Sequence, residues 1–178
     1  MKKIMTCGSL TSILVFALAS FAQPHTPSAD VSSVDTIIKA LYKRISFKPG
    51  EMSDWNRLRM LFDPGARFIP PARPDSIIVL SFDEFASQST QYVEQRGFKV
   101  KGFSEREIAR RTEPFGNIVH VWSTYESRYE PDDPTPFSRG INSIQLMKYG
   151  GRWWIVTTMW DAERLGNQIP EKYLQRKK

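Results

Sequence analysis

Apolar positions recur at three- and four-residue steps in the first half of the chain and at every second residue in the last third. Val34, Ile37, Ile38, Leu41, Tyr42 and Ile45 form one helical stripe. Ser32 and Asp35 have capping-box spacing in front of it, and Lys48-Pro49-Gly50 ends it. A second, short helix is predicted from about Asp54 to Phe62, with Ser53 as its N-cap. Trp55, Leu58, Leu61 and Phe62 make its apolar face, and Asp63-Pro64-Gly65 stops it. A third helix should start at Ser81, three residues before Glu84, and run to about Arg96, with Gly97 as its terminal signal.

The remaining segments read as strands. Ala66–Ile69 is a short one, broken by Pro70-Pro71 and Pro74, and Ile77–Leu80 is a second apolar run. From Phe98 onward the pattern is mainly extended. Val100–Thr112 is long and charged, and Ile118–Tyr129 is rich in β-branched and aromatic residues. Arg139–Asp161 holds two strand-like runs around Tyr149-Gly150-Gly151-Arg152, and Gly-Gly suits the positive-φ turn of a two-residue hairpin. Helices first and antiparallel strands last predict an α+β domain, with helices on one face of a curved sheet.

The chain has 178 residues, enough for one domain. Its first 22 residues read as a signal peptide. Lys2 and Lys3 precede an apolar run around Ile13–Leu18, and Ser20-Phe21-Ala22 offers small residues for cleavage before Gln23. The run lacks the length and flanks of a membrane span. A periplasmic or secreted protein is expected. Residues 23–30 read as a polar linker, 31–165 as the domain and 166–178 as a C-terminal tail ending in Arg176-Lys177-Lys178. Cleavage would remove Cys7, the one cysteine, and with it any disulfide or thiolate metal site. Without Lys2 and Lys3 the balance is 23 basic against 19 acidic residues. The charges alternate in sign along Glu105, Arg106, Glu107, Arg110, Arg111 and Glu113, so no basic stripe for nucleic acid is evident. No metal-ligand spacing, phosphate-binding glycine loop or nucleophile elbow occurs, and no cofactor is expected.

The run from Phe115 to Glu126 (FGNIVHVWSTYE), then Arg139–Leu146 (RGINSIQL), Gly150–Val156 (GGRWWIV) and Trp160-Asp161, resembles the nuclear transport factor 2-like superfamily, and most of all its exported bacterial members of uncharacterised role. The resemblance spans about Val34 to Asp161. It implies a cone, a strongly bent antiparallel sheet wrapped over N-terminal helices, with a pocket at the open end. That superfamily hosts isomerases, dehydratases, cyclases and plain binding proteins, so the resemblance speaks for fold and not for function.

Tyr42, Trp55, Phe62, Asp63, Tyr125, Asn142 and Trp153 are the residues expected at such a pocket. Asp63 and Asp161 are the carboxylates expected nearest the cone, and Tyr42 is placed to supply a tyrosine of the ketosteroid-isomerase kind. Asp63 has an equally ready reading as a turn residue before Pro64-Gly65, and Asp161 as a cap. The paired histidines of a scytalone-dehydratase-like site are missing, because His120 is the one histidine inside the domain. Alternation puts Val119, Val121, Ser123 and Tyr125 on the core side and His120 and Trp122 outside. The same alternation puts Trp153, Ile155 and Met159 on one face of the last strand and Trp154, Val156 and Trp160 on the other. Two apolar faces on one strand call for a second subunit, so His120, Trp122, Trp154 and Trp160 are expected at a homodimer contact. Arg139 falls on the face opposite Asn142, with Glu126 as its expected partner. The functional reading is a domain that binds a small hydrophobic molecule, or serves assembly. The alternative is a cofactor-free isomerase, dehydratase or cyclase working by acid–base chemistry.

Overall fold

A computed structural model describes residues 29–175; the expected signal peptide, most of the linker and the Arg176–Lys178 end lie outside the described residues. Helix α1 (Val34–Ile45) has the predicted span. Its cap is Ser33, one residue later than the sequence spacing proposed. The Ser33 Oγ accepts from the Thr36 amide at 3.1 Å, and the Thr36 Oγ1 accepts from the Ser33 amide at 3.1 Å. Helix α2 (Trp55–Arg59) is a single turn and a half, capped by Asp54 in place of Ser53. Ser53 is not free to cap, because its hydroxyl donates to the Ile45 carbonyl that ends α1. Helix α3 (Phe82–Gln95) carries the predicted capping box between Ser81 and Glu84.

Two sequence readings change. Asp63-Pro64-Gly65 does not separate a helix from a strand; it lies within strand β1 (Phe62–Ile69). Phe98 does not open a strand. Gly97 and Gly102, at φ of 70° and 84°, bracket one helical turn, α4 (Phe98–Lys101). Strands β2 (Ser104–Phe115), β3 (Ile118–Arg128), β4 (Ser138–Tyr149) and β5 (Arg152–Ala162) follow. The β4–β5 turn is closed by Gly150 and Gly151, both at positive φ, as Gly-Gly predicted.

The sheet runs β1-β5-β4-β3-β2, with β1 parallel to β5 and all other pairs antiparallel. It is strongly curled and unclosed, and α1 lies in its concavity. The curl is aided by three register shifts. In β2, Glu107 faces Tyr125 while Ala109 faces Thr124, so one extra residue is accommodated there. In β5, Ile155 faces Leu146 while Thr157 faces Gln145, which leaves Val156 as the extra residue.

Each shift turns later side chains over. Beyond Val156, Thr158 and Trp160 face the concave side, where Trp160 packs edge-on to Phe85. The predicted grouping of Trp160 with Trp154 on the outer face is therefore corrected: strict period two fails at the bulge. The main core holds Ile37, Ile38, Leu41, Leu58, Leu61, Phe68, Val121, Ile144, Leu146 and Ile155. A smaller cluster of Phe47, Val93 and Phe98 packs α3 and α4 against Phe103 and Tyr129.

Candidate functional site

The concave face is apolar around Val121, Ile144, Leu146 and Ile155 and polar farther along β3. Beyond Val119 and Val121, β3 presents Ser123, Tyr125 and Ser127 to the interior. Beside them β4 presents Asn142, and β2 presents Glu105 and Glu107. The extra residue after Glu107 brings Arg110 onto this same face, opposite Ser123. Tyr42, on the inward stripe of α1, reaches into the middle of the group.

The hydrogen bonds have a definite direction. Ser123 Oγ donates its single proton to Glu107 Oε1 at 2.5 Å. It must then accept from the Tyr42 hydroxyl at 2.6 Å. Tyr42 in turn accepts from Asn142 Nδ2 at 3.1 Å. At the far end Glu107 takes a bidentate contact from Arg110, with Nη2 to Oε2 at 2.6 Å. Arg110 also pairs with Asp35 on α1 at 2.5 Å. Burial works against the Arg110 charge, and Glu107 with Asp35 more than offsets it, so its pKa lies above the ordinary value.

Glu105, two residues before Glu107, has no such cation among the described residues. Ser127 Oγ donates to its Oε2 at 2.9 Å, and Asn142 is its second neutral donor. Burial pushes its carboxyl up to about 7, and these two donors offset only part of that. Tyr42 and Tyr125 are both held above the ordinary phenol range, first by burial and then by the Glu105 charge. Tyr125 passes so close to β4 that a Cβ on Gly140 would lie 2.5 Å from its hydroxyl. The Asp161 carbonyl lies closer still to that position, so the β5 backbone and the ring together require glycine here.

The other expected pocket residues are scattered. Tyr42, Tyr125 and Asn142 converge. Trp55 donates to Thr90 between α2 and α3 at 3.0 Å, and Phe62 lies in an aromatic cluster with Phe68 and Phe82. Trp153 packs on the main core. Asp63 accepts from its own turn at Gly65 and from Tyr149 Oη, at the β1–β5 edge of the sheet. Asp161 faces the convex side and pairs with Arg164 at 2.6 Å. Neither aspartate joins the concave group. Glu105 and Glu107 do, although in the sequence they read only as members of a run of alternating charge. Their shared period, facing Ser127 and Tyr125 across the ladder, is the signal that could have found them.

The convex face carries the remaining candidates. His120 and Trp122 point outward, as alternation predicted. His120 Nε2 hydrogen-bonds to Ser143 Oγ at 2.9 Å, and its ring lies 4.5 Å from that of Trp122. Arg139 sits opposite Glu126 in register, yet its ion pair is with Glu163 at 3.7 Å. Glu126 is taken by Arg106 and Arg128, which hold its carboxyl below the ordinary range although burial pushes it up. Residues beyond β5 fold back over this face. Thr124 Oγ1 donates to the Tyr173 carbonyl at 2.6 Å, and the Tyr173 ring lies 5.4 Å from Trp122. Between this segment and the sheet is a cleft of about 330 Å³, lined in part by Trp122, Ile141 and Met159.

No family model and no curated protein matches the chain. Solved structures do. A protein of unknown function from Nostoc punctiforme, described as having a cystatin-like fold, aligns with a TM-score of 0.56 at 9% identity, over 73% of this chain and 88% of that one. A nuclear transport factor 2-like protein of unknown function from Pseudomonas putida aligns with a TM-score of 0.55 at 10% identity, over 73% and 84%. The chain has the nuclear transport factor 2-like fold. A Mycobacterium tuberculosis protein of unknown function is also similar, with a TM-score of 0.52 at 15% identity over 71% of this chain and 70% of that one. In terms of this fold, the concave group occupies the inside of the cone and the cleft its outside. Among the described residues no cluster of His, Cys, Asp or Glu could hold a metal ion, and no helix is long and apolar enough to cross a membrane.

Proposed function

We propose that this nuclear transport factor 2-like domain binds a small, mainly apolar molecule inside the cone, with its polar end against Glu105, Asn142 and Tyr42. One observation carries the reading. Two half-buried glutamates on one face of one strand have opposite surroundings: Glu107 is fixed by Arg110, while the Glu105 carboxyl is turned inward against neutral donors alone. A buried carboxyl without a cation costs stability, and such groups gather at functional sites. Near neutral pH Glu105 interchanges between hydrogen-bond acceptor and donor. That property also favours a second reading, acid–base catalysis with Glu105 as the proton carrier and Tyr42 and Asn142 as the orienting groups.

Neutral naphthol, followed by its own fluorescence, tests the site. Its hydroxyl can donate to ionised Glu105, so its affinity should rise several-fold from pH 5.5 to pH 8, and Glu105→Gln should abolish the rise. Binding that is indifferent to both pH and the substitution would remove Glu105 from the site.

Two further proposals rest on sequence pattern and surface. The mature chain is exported after cleavage between Ala22 and Gln23, supported by the basic, apolar, small-residue order; intact mass of the native protein checks it. A homodimer forms through the convex row of Phe115, Ile118, Met147 and Trp154. Its first three members are 83%, 50% and 41% exposed, and the four residues face one another across the ladder. Trp160 leaves that contact and Trp122 is partly taken by Tyr173. Trp154→Glu should yield monomers by light scattering, and a wild-type chain that is already monomeric ends the dimer proposal.

A further inference from the structure

The cleft on the convex face lies behind the sheet from Glu105 and is built from different parts. Trp122 and Met159 share one cross-strand row with Ser143 between them, and Ile141 stands in the next row. Together they make a flat apolar floor. The opposite wall is Ile169 and Pro170 from the segment that folds back after β5. That wall is fixed at several points. Arg164 and Asn167 pair backbone to backbone, the Ile169 amide donates to Glu163 at 3.1 Å, and Thr124 holds the Tyr173 carbonyl.

We propose that this cleft is a second binding site, for a small uncharged molecule with a flat apolar ring and one hydrogen-bonding group. Its volume, about 330 Å³, falls within the ~300–1,000 Å³ of small-molecule pockets. The absence of net charge on the ligand follows from the lining acids. Asp161 is engaged by Arg164 and Asn167, and Glu163 by Arg139 and the Ile169 amide. An ionic ligand would have to break one of these pairs, whereas an apolar ring displaces water from Trp122, Ile141 and Met159. The Gln168 side chain is exposed at the rim and makes no hydrogen bond among the described residues, so it can meet the polar group. The His120 and Tyr173 rings flank Trp122 and fix the indole in place, which reduces the ordering cost of stacking on it.

Indole is a suitable probe, titrated into the isotope-labelled chain and followed by amide chemical shifts. Saturable shifts should appear at Ile141, Ser143, Met159 and Gln168. Met159→Trp fills the floor and should weaken binding at least tenfold with the unfolding midpoint unchanged. Ile169→Trp fills the same space from the wall, away from the sheet, and serves if the first variant does not fold. No saturable shift at these amides, shifts gathered instead at Tyr42, Tyr125 and Asn142, or wild-type affinity in a folded filled variant would each overturn the proposal. Because the shifts report which face is occupied, failure here is separate from failure of the Glu105 site.

Discussion

The two faces of the sheet differ in how their carboxylates are matched by cations. On the convex side Glu126 has two arginines, and Asp161 and Glu163 have one each. On the concave side the pattern splits within two residues: Glu107 is paired as its convex counterparts are, while Glu105 is left with neutral donors. The paired acids have their charge matched by a cation within the same or a neighbouring segment. The unpaired one stores an electrostatic cost that a ligand or a proton can relieve. What separates Glu105 from the paired acids is the missing cation.

The sharpest way to break this contrast is to make Glu107 resemble Glu105. Arg110→Ala leaves a carboxylate at the end of the Tyr42–Ser123 chain with no counter-charge, and should cost about 4 kcal/mol in urea unfolding at pH 7. Adding Glu107→Gln should restore part of that loss. No recovery in the double variant would mean that Arg110 acts through packing alone.

Next in size is the pH profile of Glu105. Its folded pKa is raised from 4.5 to about 7, so the folded state holds the proton over a window where the unfolded state has lost it. Stability therefore falls as pH rises from about 4.5 to 7 and is then flat, a loss of about 3 kcal/mol in all. Glu105→Gln should be neutral at pH 4 and should stabilise the chain by about that amount at pH 8. A variant with the wild-type slope would show that the carboxyl is not buried as described.

Smaller effects locate the walls of the two faces. Gly140→Ala drives a methyl into both the Asp161 carbonyl on β5 and the Tyr125 ring, and should cost about 2 kcal/mol by thermal unfolding. Thr124→Val removes the bond to Tyr173 on the outside. It should cost about 1 kcal/mol and quicken proteolysis after β5, with Glu105 titrating as before.

Much of this architecture was legible in the chain. The α1 stripe, the Ser81–Glu84 box, the Gly150-Gly151 turn and the faces of β3 each follow from a local rule, and the motif order carried the fold resemblance. Asn142 is legible because a polar group on an apolar face needs a partner, and Tyr42 because it lies on the apolar stripe of α1. Glu105 is not. A glutamate in an alternating charge run looks solvated until the opposite strand is known, and its neighbour Glu107 differs only through Arg110, brought round by a bulge. Trp160 was misplaced for the same reason, since a bulge is a long-range compromise between strands with no residue-level signature. The segment after β5 has weak periodicity, and tertiary contacts alone set its course.

The bulge at Val156 also gives β5 a spare residue of chain length. Ile155 and Thr157 already face successive β4 positions, Leu146 and Gln145, so deleting Val156 would close the ladder into regular alternation. Trp160 would stay against Phe85 and Asp161 would stay on the convex side. A one-residue deletion at this point is thus far milder than the same deletion in β3, which has no bulge against β4 to absorb it and where every later side chain would exchange sides.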